Sequence, residues 1–132
     1  MKQPKTNLKE KAVDLAYAAL DVSISAKRNK SKELMRLSVQ TKEVADTLRR
    51  LVEGHAYKQE VLIALWKWQD AFEELTESEL TMLKGETQSD RESYQIYEEQ
   101  KGRKACRKQD VPIYIEEVWV HLDPSIKKKK KK

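Results

Sequence analysis

The side chains of this 132-residue chain that could do chemistry are few: His55, His121, Cys106, four acids between Glu73 and Glu79, and a terminal run of lysines. Metal binding and acid–base catalysis need two or three such groups converging at a recognised spacing. Neither histidine has a second histidine or a cysteine beside it, and His55 follows Gly54, an ordinary place for a solvated histidine at a helix boundary. Glu73, Glu74, Glu77 and Glu79 would place paired carboxylates along one helix. With no basic partner beside them, they read as a solvated acidic face. Cys106 lies in Arg103-Lys104-Ala105-Cys106-Arg107-Lys108, and neighbouring cations favour a thiolate. No resolving cysteine accompanies it, so a bystander thiol is the simpler reading. The chain has no glycine-rich phosphate loop, nucleophile elbow or dinucleotide fingerprint. The expectation is a non-enzymatic protein without catalytic residues, metal or cofactor.

The lysine run comprises Lys127, Lys128, Lys129, Lys130, Lys131 and Lys132. Like charges repel, so it is expected to be a disordered tail. Such a cluster binds nucleic acid or another anionic surface through counterion release. It contains no aromatic side chain to stack on bases, which argues against sequence-specific recognition. The formal charge is +5, and subtracting the six lysines leaves −1. The basic character therefore belongs to the tail, for which a solubilising appendage is the lesser alternative.

The strongest remaining signal is aromatic. Val61 to Trp68 is the most apolar stretch of a chain whose mean hydropathy is −0.84. In a helix, Trp66 and Trp68 point about 200° apart, so one can face a core while the other needs a second layer or a partner. Tyr114 and Trp119 are candidates for that layer. Trp and Tyr are also enriched at interface hot spots.

Few glycines and prolines with abundant Lys, Glu, Leu and Ala point to long helices. Residues 1–6 are polar and expected to be disordered. Asn7, with Glu10 three residues on, opens a helix. Leu8, Ala12, Leu15, Ala19, Val22 and Ala26 then form a seam of mostly small residues. Lys27 to Lys32 interrupts it. Ser31 would cap a new helix if this run is a loop, but the absence of Gly and Pro favours a continuing or kinked helix. Leu34, Leu37, Thr41, Val44, Leu48 and Leu51 resume the seam as a heptad pattern. Gly54 ends that helix as a left-handed cap. One helix is then expected from Ala56 to Lys84, with Tyr57, Val61, Ala64, Trp68, Ala71 and Leu75 on one stripe, closed likewise by Gly85. Ser89 with Glu92 would open a third helix, which Gly102 weakens or stops. Val111 to Leu122 fits either an extended segment or a short helix, and Pro112 argues against a central strand.

The expected fold is all-α: an elongated antiparallel helical bundle or coiled coil of about three helices, with an extended or short helical C-terminal arm. The pattern is similar to three-helix modules of the spectrin-repeat kind, in spacing alone. The divisions are a disordered terminus at 1–6, a bundle at 7–109, a docking arm at 110–126 and the tail at 127–132. The leading expectation is a protein-interaction or scaffold subunit, presenting Leu34, Leu37, Val44, Leu48, Leu51, Trp66, Tyr114 and Trp119 to another helical protein or to itself. The alternative is an accessory binder of nucleic acid or another anionic surface through the tail, with Lys27–Lys32 and Arg103–Lys108 as the place for a basic patch on the folded part. One cysteine forms no internal disulfide, the N-terminus leads into no apolar segment, and the longest apolar run is too short for a bilayer. The expected setting is intracellular, cytoplasmic or nuclear.

Overall fold

Asn7 starts the first helix as expected, its side-chain oxygen accepting the backbone N–H of Glu10 at 3.1 Å. The computed structural model describes residues 7–125, so the expectations for residues 1–6 and for the lysines at 127–132 lie outside the described residues. Six α-helices follow: α1 (Leu8–Asn29), α2 (Lys32–Val52), α3 (Lys58–Glu73), α4 (Glu77–Lys84), α5 (Gln88–Lys101) and α6 (Val111–Leu122), with a 3-10 turn at Lys108–Asp110. There is no strand among the described residues. The fold is all-helical, with six helices where the spacing suggested about three.

The basic run at 27–32 is broken by a tight turn at Lys30 and Ser31, against the expectation of a continuing or kinked helix. Lys30 takes the left-handed conformation at φ 54°. The N–H of Ser31 then reaches back to the carbonyl of Ala26 at 2.9 Å. That bond satisfies an orphan carbonyl at the helix end, a task usually given to glycine. Ser31 Oγ accepts from the N–H of Leu34 at 3.0 Å and caps α2. A residue with a Cβ is disfavoured at positive φ by about 1 kcal/mol. Lys30→Gly should therefore raise the unfolding free energy by about that amount in urea denaturation, and an unchanged or lower stability would reject this account of the turn. Gly54, at φ 83°, ends α2 as expected, with the N–H of His55 bonded to the carbonyl of Arg50 at 2.7 Å.

The single helix expected over 56–84 is two. Thr76 breaks it by capping α4: its hydroxyl accepts from the N–H of Glu79 at 3.2 Å, while Glu79 accepts from the N–H of Thr76 at 3.0 Å. Ser31 adds a third bond, donating its hydroxyl to Glu79 at 2.8 Å across 48 residues of chain. These local bonds compete with the helical ladder and win. Gly85 has φ −72° and is no left-handed cap. The next capping box also differs from expectation: Thr87 and Asp90 open α5, in place of Ser89 and Glu92. Val111 to Leu122 is helical, with Pro112 in the first turn, where its missing N–H costs nothing.

The first three helices run antiparallel to one another in turn. The two-residue link between α1 and α2 forces a hairpin. Arg36 pairs with Glu74, Trp68 Nε1 donates to Thr41 Oγ1 at 2.9 Å, and Arg50 pairs with Glu60 at 3.6 Å, so α3 returns along α2. The seams meet inside: Leu15, Val22, Leu34, Leu37, Val44, Leu48, Val61 and Leu65 are fully buried, joined by Ile115 and Val118 from α6. Tyr57 departs from its predicted stripe and is exposed at the head of α3.

Helix α5 is attached differently. Asp14, Asp21 and Arg28 recur every seven residues along α1 and face Tyr97, Tyr94 and Asp90 of α5 in reverse order. The two tyrosine hydroxyls donate to the two α1 carboxylates. Their rings, with Ala105, form an apolar cluster of their own, apart from the main core. A row of polar bonds, and not a continuous apolar seam, holds α5 to α1.

Candidate interaction surface

The heptad leucines offered for partner contact are placed inside. Leu34, Leu37, Val44 and Leu48 are fully buried against the chain's own helices, and Leu51 is half-buried. Trp66 remains outside at 56% exposure, its ring meeting Trp119 edge to face with centroids 5.1 Å apart. Trp119 is buried and belongs to the core. Tyr114 is half-buried under the ammonium of Lys11, 4.0 Å from the ring centre, and burial pushes its hydroxyl up to about 12. Trp119 thus supplies the second layer that Trp66 required. Trp68 is the core tryptophan of the pair, stacked on Phe72 with centroids 4.9 Å apart.

The groups that suggested chemistry are engaged in structural work. Glu74 pairs with Arg36, Glu73 accepts from Gln69 at 2.8 Å, and Glu79 completes the α4 cap. The backbone N–H of Thr76 first, then the hydroxyl of Ser31, lower Glu79 below its ordinary value. His55 lies 4.0 Å from Glu53 at the exposed end of α2, and His121 is exposed on α6. Among the described residues, no three His, Cys, Asp or Glu side chains converge as a metal site would require. Cys106 reverses its expected electrostatics. It is buried, and desolvation pushes the thiol well above its ordinary value instead of favouring the thiolate.

Three of the cations flanking Cys106 are turned to carboxylates. Arg103 pairs with Asp14 at 2.8 Å, and Arg107 pairs with Glu86 at 3.1 Å over the ring of Tyr94. Lys108 is fully buried, donating to Asp90 at 3.0 Å and to the carbonyl of Gly85. Arg28, from the other half of the suggested basic patch, also turns to Asp90, at 3.8 Å. Lys27, Lys30, Lys32 and Lys104 stay exposed.

What remains open is apolar. Tyr17, Leu20 and Ile24 form a second stripe on α1, at spacings of three and four, on the side away from the seam. All three are exposed, Leu20 at 59%. They form a ridge between two grooves. One, of about 270 Å³, runs between α1 and α5 and includes Ile96 and Cys106 in its walls. The other, of about 630 Å³, lies between α1 and α2 and includes Met35 and Val39. A third recess, of about 350 Å³, opens between α3 and α6 under Trp66 and Ile113. The stripe was present in the sequence as a second 3-4 spacing offset from the first, and the sequence reading above missed it. Exposed apolar side chains are normal singly, whereas a contiguous group rimmed by polar residues marks a contact surface.

The fold and its surface define an all-helical protein with an apolar ridge and grooves left outside its core. None of its described helices is long and apolar enough to cross a membrane. No protein-family model, curated protein or solved structure matches the chain.

Proposed function

We propose that this chain is a non-enzymatic interaction or scaffold subunit, using helical surfaces to bind another helical protein or a second copy of itself. The observation that carries the reading is the apolar surface left over when the bundle closes: Tyr17, Leu20, Ile24, Val39 and Ile96 on one side, Ile63, Trp66 and Ile113 on another. Each of these side chains keeps about half of its surface exposed. Burying the exposed half of one of them at a contact is worth about 1 kcal/mol, and a cluster of them is a source of affinity. An elongated coiled-coil character would follow from the α1–α2 hairpin, whose two helices carry the heptad seams. The anionic-surface alternative rests on Lys127–Lys132, since Arg28, Arg103, Arg107 and Lys108 of the folded part are each turned to a carboxylate.

The test compares Leu20→Lys and Trp66→Ala with the wild type in circular dichroism and in solution mass by light scattering, for the isolated chain and for the complex purified from its native cells. Trp66 loses only an edge contact, so Trp66→Ala should cost about 1 kcal/mol and leave the helicity unchanged. The expected result is a folded variant with a weakened complex at one or both positions. A complex that survives both substitutions contradicts the reading.

A further inference from the structure

We propose that the groove between α1 and α5 takes an amphipathic helix of a partner that carries one lysine or arginine among its apolar residues, with that cation meeting Asp21. The inference rests on the interaction reading above and names the kind of partner. Three observations converge on it.

The first is shape. The groove runs between two antiparallel helices, and its α1 wall presents Tyr17, Leu20 and Ile24 at i, i+3 and i+7. That spacing makes one continuous apolar face of α1, along which the apolar anchors of a docked helix can lie.

The second is composition. The walls are apolar or aromatic with a few neutral polar groups, and Asp21 is the single charged residue among them.

The third is an uneven placement of charge along the α1–α5 seam, whose three carboxylates face three cations that gather on Asp14 and Asp90. Asp14 has Arg103 at 2.8 Å, and Asp90 has Lys108 at 3.0 Å with Arg28 at 3.8 Å. Asp21 accepts the Tyr94 hydroxyl, but no cation of the described residues reaches it within ion-pair distance. Burial above all, and then the neighbouring Asp90 carboxylate, raise its pKa, which the Tyr94 hydroxyl and the more distant Lys108 ammonium offset only in part. A half-buried carboxylate without an ion-pair partner, inside an apolar groove, gains from an incoming ammonium or guanidinium more than a solvated one does. The tyrosine rings beside it add a surface on which such a cation can rest.

The probe is a synthetic amphipathic helix of about five turns with leucines at i, i+3 and i+7 and one arginine between them. A second peptide carries citrulline, the neutral isostere, at that position. Binding is read by fluorescence anisotropy of the labelled peptides. The arginine peptide should bind the full chain at least about tenfold more tightly than the citrulline peptide. Asp21→Asn keeps an acceptor for the Tyr94 hydroxyl and should make the two peptides equal. Leu20→Asp should abolish binding of both.

Equal affinities for the wild type, or a preference that survives in Asp21→Asn, overturn the cationic anchor and leave an apolar docking groove. Failure of both peptides to bind overturns the groove as the docking site. The interaction reading itself falls if complexes persist when Leu20 and Trp66 are both changed, an outcome independent of these peptides, so the two failures are distinguishable.

Discussion

Trp68→Ala is expected to lower the unfolding free energy by about 3–5 kcal/mol, the range for deleting a buried aromatic side chain. Trp68 reaches the centre of the packing between α2 and α3. Its ring stacks on Phe72 with an interplanar angle of 11°, and its indole N–H donates to Thr41. Thr41 is the one polar residue of the α2 seam, and its hydroxyl in turn donates to the carbonyl of Leu37 at 2.7 Å. The polar seam position is therefore explained by the indole it receives. Thr41→Val removes the acceptor and leaves the indole N–H buried and unpaired, a loss of about 1–3 kcal/mol. Urea unfolding followed by circular dichroism measures both. A small domain has only about 5–15 kcal/mol in hand, so Trp68→Ala should lie close to unfolding. If Trp68→Ala costs no more than Trp66→Ala, the assignment of core and surface tryptophans is wrong.

The second large effect concerns Lys108, fully buried against Asp90. Asp90→Ala leaves that ammonium with the Gly85 carbonyl alone, and removing one member of a buried pair costs about 3–5 kcal/mol. The double variant Asp90→Ala with Lys108→Met should recover a good part of the loss, since an apolar pair leaves no buried charge. Equal stability of the single and double variants would contradict this. The backbone N–H of Thr87 and the Lys108 ammonium hold Asp90 below its ordinary carboxylate value, against the opposing and larger individual effect of its burial. A depressed folded value means that the stabilisation is fully present above the unfolded carboxylate value. It is lost as pH falls through the folded one. The stability gap between wild type and Asp90→Ala should therefore be constant near neutral pH and narrow in acid. Asp21 acts in the opposite sense: its raised value makes the folded state progressively less favoured as pH rises through it.

The seams of α1 and α2 were legible because heptad spacing records burial directly, and Asn7 and Gly54 because their caps are local. The break at Thr76 was also local, a Thr-x-x-Glu capping box at Thr76 and Glu79, and was overlooked because the apolar spacing runs on through it to Leu75. Lys30 in a left-handed turn hid the end of α1, since neither Gly nor Pro marks it. Spacing also cannot say whether the partner of a seam lies in the same chain, which is why Leu34, Leu37, Val44 and Leu48 were offered as contact residues although the chain buries them itself. The polar row of Asp14, Asp21 and Arg28 repeats every seven residues and was readable in principle. Its meaning depends on Tyr94 and Tyr97, whose arrival from α5 no local pattern announces. Of the candidate surface, Trp66 was visible in the sequence, and the Tyr17–Leu20–Ile24 stripe was overlooked behind the stronger seam.

The most direct test of the central claim, that the leftover apolar surface is a contact surface, is photo-crosslinking in the cells that make the protein. A photoreactive amino acid is placed at Leu20, at Ile63, or at Lys84, an exposed residue of α4 that borders none of the three grooves. The account predicts a discrete adduct from Leu20, Ile63 or both, and none from Lys84. An adduct of twice the chain mass would identify a second copy, and any other discrete mass a different protein. No discrete adduct from either apolar position, or the same smear from all three, would contradict the account.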